Sequence, residues 1–321
     1  MGNLFDHVRK ACKDVAAKAT RVVINYDHIP SYAASLPVDK VIQPELNPGC
    51  HYLGKEDKTV AFLLTLNAIN FGSGYFPQLV KRPGLSGYFS IASSLNDVYK
   101  NQGGLSAADL DRMTVAKCTR IFGQDPTNQV IRELMQYFSK SLNDLGRYVL
   151  DFFNGSFTNL VESAESSAAR LVQFLKQMPY FNDVSLYKGN QVPFFKRGQI
   201  TAADLSIAFK RQRWGTFKDL DQLTIFADNL VPHVLRMDGI LIYEESLLEQ
   251  IMAAKLIPSG SVEEVEIRAC ALHAVELIKH EIRATKGQII NSSDLDSFLW
   301  NRGQHAHYKA VPRHRTRCIF Y

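Results

Sequence analysis

Cysteine is scarce and unpatterned in this 321-residue chain. The five cysteines, Cys12, Cys50, Cys118, Cys270 and Cys318, form an odd set at wide spacing with no Cys-x-x-Cys pair. That excludes a disulfide framework and a zinc ribbon, and it points to a reducing, cytoplasmic setting. Long apolar runs are also lacking. The most apolar stretch, 59–76, is broken by Asn67, Asn70 and several glycines and serines, so no membrane span is expected. Leu4 to Val15 mix charged with apolar positions and hold no signal-peptide core. Charge of one sign is lacking too. Lys plus Arg number 37 against 32 Asp plus Glu, and a balance of +5 suits a small anion as well as a nucleic acid. Basic residues cluster only briefly, at Lys81-Arg82, at Arg211 and Arg213, and in the C-terminal tail. A continuous basic groove is therefore not expected.

Several chemical signatures fail on inspection. Gly72-Ser-Gly74 lacks the third glycine of a dinucleotide fingerprint, and no Gly-rich loop ends in Lys-Ser/Thr. His280-Glu281 is followed by Ala284 where a helical zinc site needs a second histidine. His305, His307 and His314 have no cysteine or carboxylate to complete a four-ligand set. No metal and no cofactor are expected.

Helical periodicity is what the chain does have. Leu4, Val8, Cys12, Val15 and Ala19 recur every three to four residues, as one buried helix face requires. Ser106 and Thr127 open further helices, the second running through Phe152. Leu160, Ala164, Ala168, Leu171 and Leu175 predict one helix from Phe157 to Met178. Ser261 and Glu264 form a capping-box pattern ahead of Ile267, Ala271, Ala274, Ile278 and Ile282. Ser293 caps a last helix through Trp300. Strand signals are few. Asp183–Tyr187 and Gln191–Phe195 flank Lys188-Gly189-Asn190 as one hairpin, and Ile240–Tyr243 is a second short strand. The fold class is mainly α with a minor β-hairpin.

Three segments place polar groups inside apolar patterns. Lys196 and Arg197 fall at a strand-to-helix junction, where a helix N-terminus and two cations favour a phosphate; a surface basic pair is the plainer alternative. Asp228 follows an apolar run and precedes a proline turn. It is either a turn cap or a partly desolvated carboxylate suited to general-base work. Glu266 and Arg268 sit between apolar positions, on a charged face or in a site. Around the Gly- and Pro-rich segment 71–87, Phe71, Tyr75, Phe76, Tyr88 and Phe89 lie near Asn67 and Asn70. Such a set packs as core, or stacks on and hydrogen-bonds a planar heterocycle.

Several of these segments, in order, resemble the queuosine salvage protein family, the queuosine 5′-phosphate N-glycosylases. They are Ser86-Gly-Tyr-Phe-Ser90, Ser156–Ala168, Phe194-Phe-Lys-Arg-Gly-Gln199, Leu223-Thr-Ile-Phe-Ala-Asp228, Glu264-Val-Glu-Ile-Arg-Ala-Cys270 and Val311–Tyr321. The sequence departs from the family where Asn229-Leu230 and Pro232-His233 replace its Tyr-Arg and Pro-Gln, and where Phe89 replaces a Trp. The resemblance implies a helical fold like that of DNA glycosylases. It implies one catalytic unit over 1–321, built of two interdependent lobes, about 1–150 and 151–321. It also implies release of queuine, a 7-deazaguanine base, from queuosine 5′-monophosphate; a cytoplasmic monomer with no stable nucleic-acid partner is expected.

The chemistry of that reaction gives the residues roles. Departure of the base leaves positive charge on the sugar, which a carboxylate stabilises while orienting water; Asp228 is the candidate. A 7-deazapurine has carbon in place of N7, so its leaving group must be stabilised through other edges. Glu165 or Glu266 would accept its guanine-like N–H groups. Lys196 would contact phosphate or sugar, with Arg197, His233 and Arg268 as further polar contacts. Asn70, Phe71, Tyr88, Phe89 and Ser90 would hold the base. The competing reading is a tRNA- or DNA-binding protein of glycosylase-like fold, whose affinity would depend strongly on salt.

Overall fold

A computed structural model describes residues 3–37 and 44–321. Its contacts group into two compact units. One gathers Met1–Pro44, Val184–Lys196 and Asp221–Arg317; the other gathers Glu45–Asp183, Arg197–Leu220 and Cys318–Tyr321. These segments alternate along the chain, so no single cut in the sequence separates the units. Both are mainly helical, and the described strands form only two small antiparallel ribbons.

The first unit is built on helix Val262–Lys286. Its start follows the capping logic: Ser261 Oγ accepts from the Glu264 amide at 3.2 Å, and Glu264 Oε2 accepts from the Gly260 amide at 3.0 Å. Its end is set by Gly287 at φ +64°, with Arg283 and Lys286 in the last turn against the negative pole. Val265, Ile267, Ala269, Cys270, Leu272 and Ala274 are all buried, so the first part of this helix is covered on every side. Helix Leu4–Ala16 lays Phe5, Val8, Ala11, Cys12 and Val15 against it. Strand Val22–Ile24, too short to read from the sequence, pairs antiparallel with Leu241–Tyr243. The hairpin Val184–Tyr187/Asn190–Pro193 forms as predicted, with Lys188 and Gly189 at positive φ in its turn. Helices Ile29–Ser35, Val231–Met237, Glu245–Met252, Ser292–Arg302 and Ala306–Lys309 also belong to the unit. The last long helix starts from Asn291, two residues before the Ser293 cap that the sequence suggested.

The second unit centres on helix Asp57–Ala68, whose Val60, Phe62, Leu63, Leu64 and Leu66 are fully buried, and on helix Gln129–Phe153. Helix Gly87–Gln102 begins where Ser86 accepts from the Phe89 amide. The continuous helix expected over Phe157–Met178 does not form. It is two helices, Phe157–Glu162 and Ala168–Leu175, because Glu165 and Ser166 turn into the left-handed region at φ +50° and +58°. Ser167 then caps the second piece, and Asp219 accepts from Ser167 Oγ and from the Ala168 and Ala169 amides. Among the described residues, no helix is long and apolar enough to cross a membrane. All five cysteines are buried as free thiols.

Candidate active site

In the first unit, the segment before helix Val231–Met237 is pinned residue by residue. The Phe226 amide donates to Asp296 Oδ1 at 2.9 Å. The Ala227 carbonyl accepts from Arg268 Nε at 3.0 Å. Asp228 Oδ1 accepts from the Leu230 and Val231 amides at 2.7 and 3.2 Å. Asp228 is therefore a turn cap, yet it is also half-exposed, so the cap leaves it within reach of a ligand. Around it stand a second carboxylate and two cations. Burial pushes the Asp296 carboxyl up to about 8; the negative charge of Asp228 adds to that, while the Phe226 amide and Lys196 oppose it. Burial lowers the Arg313 guanidinium, and Asp228 opposes that shift.

Lys196 is the first residue of helix Lys196–Ala208 and only 6% exposed. The surface-pair alternative is therefore excluded for it. Phe195, just before it, has φ +49°, which for a bulky residue costs about 1–3 kcal/mol. That bend ends the strand segment and starts the helix, whose positive pole lies at Lys196. The arrangement is two neighbouring carboxyls, one of them buried and holding its proton up to about 8, with Lys196 beside them. Carboxyl pairs of this kind divide acid and base roles between them.

The other predicted residues of this unit are engaged elsewhere. Glu266 is fully buried. Its Oε2 accepts from the Thr20, Arg21 and Val22 amides at 3.0, 2.6 and 3.1 Å, and its Oε1 accepts from Tyr187 Oη at 2.7 Å. It anchors the entry to strand Val22–Ile24. Arg268, also fully buried, lies 3.9 Å from the Phe194 ring centroid. His233 donates from Nε2 to the Tyr308 carbonyl at 2.8 Å, so Nδ1 is the acceptor for Arg236 at 3.1 Å. Burial drives its imidazole down to about 4, so it is neutral at pH 7.

The second unit holds the remaining predicted residues. Asn70 donates to Asn67 at 3.2 Å, and Asn67 donates to the buried Asp204 at 2.8 Å. His51 Nδ1 faces the Asn47 carbonyl at 2.9 Å and must donate to it. Its Nε2 then accepts from Tyr88 Oη at 3.0 Å. Burial holds the His51 imidazole below its ordinary range, and burial with Asp204 raises the Tyr88 phenol. Phe89 is half-exposed with its ring 5.2 Å from that of Tyr88. Ser90 Oγ donates to the Ser86 carbonyl and accepts from the Arg82 amide, tying the loop to the helix. Phe71 is core: it packs edge-on against Phe138 and covers Arg197. Arg197 is buried between Phe71 and Phe181, and donates to the Asn67, Ala68 and Ile319 carbonyls. Glu165 is exposed and paired with Arg170.

The sequence profile of the queuosine salvage protein family matches residues 50–321. The chain belongs to that family. Three proteins called queuosine 5′-phosphate N-glycosylase/hydrolase are similar to it. The one from Sphaerobacter thermophilus is 33% identical, covering 96% of this chain and 95% of its own length. Those from Bos taurus and Dictyostelium discoideum are each 32% identical. The bovine match covers 86% of this chain and 84% of its own; the Dictyostelium match covers 82% and 78%.

Within this member of the family, two side chains of interest escaped the sequence reading. Asp296 sits in a helix start that also carries Asp294, and nothing in the local pattern says which of the two turns inward. His51 lies in a turn-rich stretch without periodicity. Their significance rests on tertiary neighbours: the Phe226 amide and Asp228 for one, Tyr88 for the other. Among the described residues no group of three or more His, Cys, Asp or Glu is placed to hold a metal ion.

Proposed function

We propose that this chain hydrolyses the N-glycosyl bond of queuosine 5′-monophosphate and releases queuine, the activity named in its relatives. The observation that carries the reading is the pair Asp228/Asp296 beside Lys196, with Asp296 buried on the Phe226 amide and protonated up to about 8. Asp228 stabilises the cationic sugar and takes the proton of the attacking water. Asp296 donates its proton, or a hydrogen bond, to the departing base, which supplies the leaving-group stabilisation that a missing N7 denies. The balance closes: water adds hydroxyl to the sugar and a proton to the base. Lys196 contacts the phosphate or the sugar.

Asp296 replaces Glu165 and Glu266 as the carboxyl assigned to the base. Glu266 spends both oxygens on backbone amides and Tyr187, and Glu165 is exposed on Arg170. Asn70, Tyr88, Phe89 and His51 belong to the second unit and are given no role at this carboxyl pair. Phe71, Ser90, Arg197 and His233 are assigned to the framework, since their polar or aromatic surfaces are engaged within the protein. The chain acts as a monomer on a free nucleotide, which requires no nucleic-acid partner. The five buried thiols fit a reducing cytoplasm.

The test is incubation of the purified chain with queuosine 5′-monophosphate and detection of queuine by mass spectrometry. Release is expected from the wild type and not from folded Asp228→Ala. Wild-type turnover in that variant would remove Asp228 from the mechanism.

A further inference from the structure

Arg268 touches both chain segments that carry the proposed catalytic groups. Its Nε donates to the Ala227 carbonyl at 3.0 Å, one residue before Asp228. Its guanidinium carbon Cζ lies over the Phe194 ring, 3.9 Å from the centroid, two residues before Lys196. Its Nη1 is 3.7 Å from Glu264 Oε1, and the other oxygen of Glu264 accepts from the Gly260 amide at 3.0 Å. Arg268 and Glu264 are 0% and 2% exposed, on consecutive turns of the most thoroughly buried helix of that unit. A flat, delocalised cation is suited to this combination. It stacks on an aromatic face through its plane and donates through its edge at the same time, which an ammonium on a flexible stem does not do.

We infer that Arg268 is a positioning residue: it clamps the Phe194–Lys196 segment and the Phe226–Asp228 segment to one helix, and so fixes Asp228 relative to Lys196. The neighbouring bonds make the clamp specific. Phe226 is held by Asp296 and Asp228 by its own helix start, and the Ala227 carbonyl between them is the anchor that Arg268 supplies. On the other strand the backbone bends at Phe195, φ +49°, and the stacked Phe194 ring is what braces the bend from the preceding residue. Loss of the clamp leaves every catalytic group present but misplaced. Misplacement of about 1 Å costs on the order of 10²-fold in rate while ground-state binding is largely kept. This inference rests on the assignment of Asp228 and Lys196 made above.

The test uses the full chain with queuosine 5′-monophosphate and measures kcat and KM for wild type, Arg268→Lys, Phe194→Leu and Asp228→Asn, with near-UV circular dichroism and thermal unfolding on each. Arg268→Lys keeps the charge but loses the plane and the Nε donor; kcat is expected to fall at least ~10-fold with KM within about 3-fold of wild type. Phe194→Leu keeps every hydrogen bond and removes only the stacking face, and serves if Arg268→Lys does not fold; a fall of about 3- to 10-fold in kcat at unchanged KM is expected. A wild-type kcat in folded Arg268→Lys, or in Phe194→Leu, overturns the clamp. So does a raised KM at unchanged kcat, which would make Arg268 a substrate ligand. Asp228→Asn separates the two claims: full activity there refutes the catalytic assignment, whatever the clamp variants do.

Discussion

Asp296 is the residue on which acid–base behaviour turns. In the folded chain it keeps its proton up to about 8, because burial and the charge of Asp228 oppose ionisation; unfolded, it ionises near 3.8. A raised pKa contributes stability that is full below 3.8 and is lost progressively as pH rises to about 8. Asp296→Asn keeps an oxygen for the Phe226 amide and cannot ionise. The variant is therefore expected to gain in thermal midpoint over wild type as pH is raised through that window; parallel curves would show that Asp296 is not held protonated. Activity should move the other way. Wild-type kcat is expected to decline above about 8 as the proton is lost, whereas the Asp296→Asn substitution gives a flat alkaline limb and a rate lower by ~10²–10⁴. Stability gained at the cost of activity is the usual mark of a strained functional group. Asp228 was legible in the sequence because it ends an apolar run before a proline turn. Asp296 was not, since it repeats the local chemistry of Asp294 and only the packing of helix Ser292–Arg302 distinguishes them.

Elements show where backbone contact outweighs propensity. Gly146 lies inside helix Gln129–Phe153, where alanine would ordinarily help by about 1 kcal/mol. A Cβ there would meet the Asp111 amide nitrogen at 2.3 Å and the Ala107 carbonyl at 2.5 Å, both backbone of the crossing helix Ala107–Asp111. Backbone cannot step aside as a flexible side chain can. Gly146→Ala is therefore expected to destabilise by about 1–3 kcal/mol net, read as a lower urea midpoint at unchanged slope; a stabilised variant would mean that the two helices separate freely. The same scale explains what the pattern missed. Leu160, Ala164, Ala168, Leu171 and Leu175 keep helical spacing across a break, since the turn at Glu165 and Ser166 conserves the buried face while reversing the backbone. Strand Val22–Ile24 depends on a partner more than two hundred residues away in sequence, a distance at which local pattern carries no signal. The hairpin, by contrast, is local, and its Lys188-Gly189 turn was readable from residue type alone.

Across the whole molecule, stability is squeezed from both sides of neutrality. His233 and His314 are buried and held down to about 4 and about 3, against 6.5 when unfolded. Depressed values contribute stability that is present above 6.5 and lost as pH falls below it. Two histidines on the acid side outweigh Asp296 there, while Asp296 still acts between 6.5 and about 8. The thermal midpoint is thus expected to peak near pH 6.5 and to fall on both sides; a midpoint that rises steadily with acid would contradict the burial of the two histidines. At this scale the sequence read well in fold class and family. The grouping of Val184–Lys196 with Asp221–Arg317 is set by tertiary packing, which local pattern does not carry. The mild surplus of +5 takes on a local meaning in Lys196 and Arg313 beside the carboxylate pair.

The most direct test of the account is single-turnover release of queuine from queuosine 5′-monophosphate by wild type, Asp228→Asn and Asp296→Asn, followed across pH. Release by wild type with an alkaline limb near 8 is expected, with no measurable release by Asp228→Asn and slow, pH-independent release by Asp296→Asn. Undiminished release by Asp228→Asn, or an unmoved alkaline limb in Asp296→Asn, would contradict it.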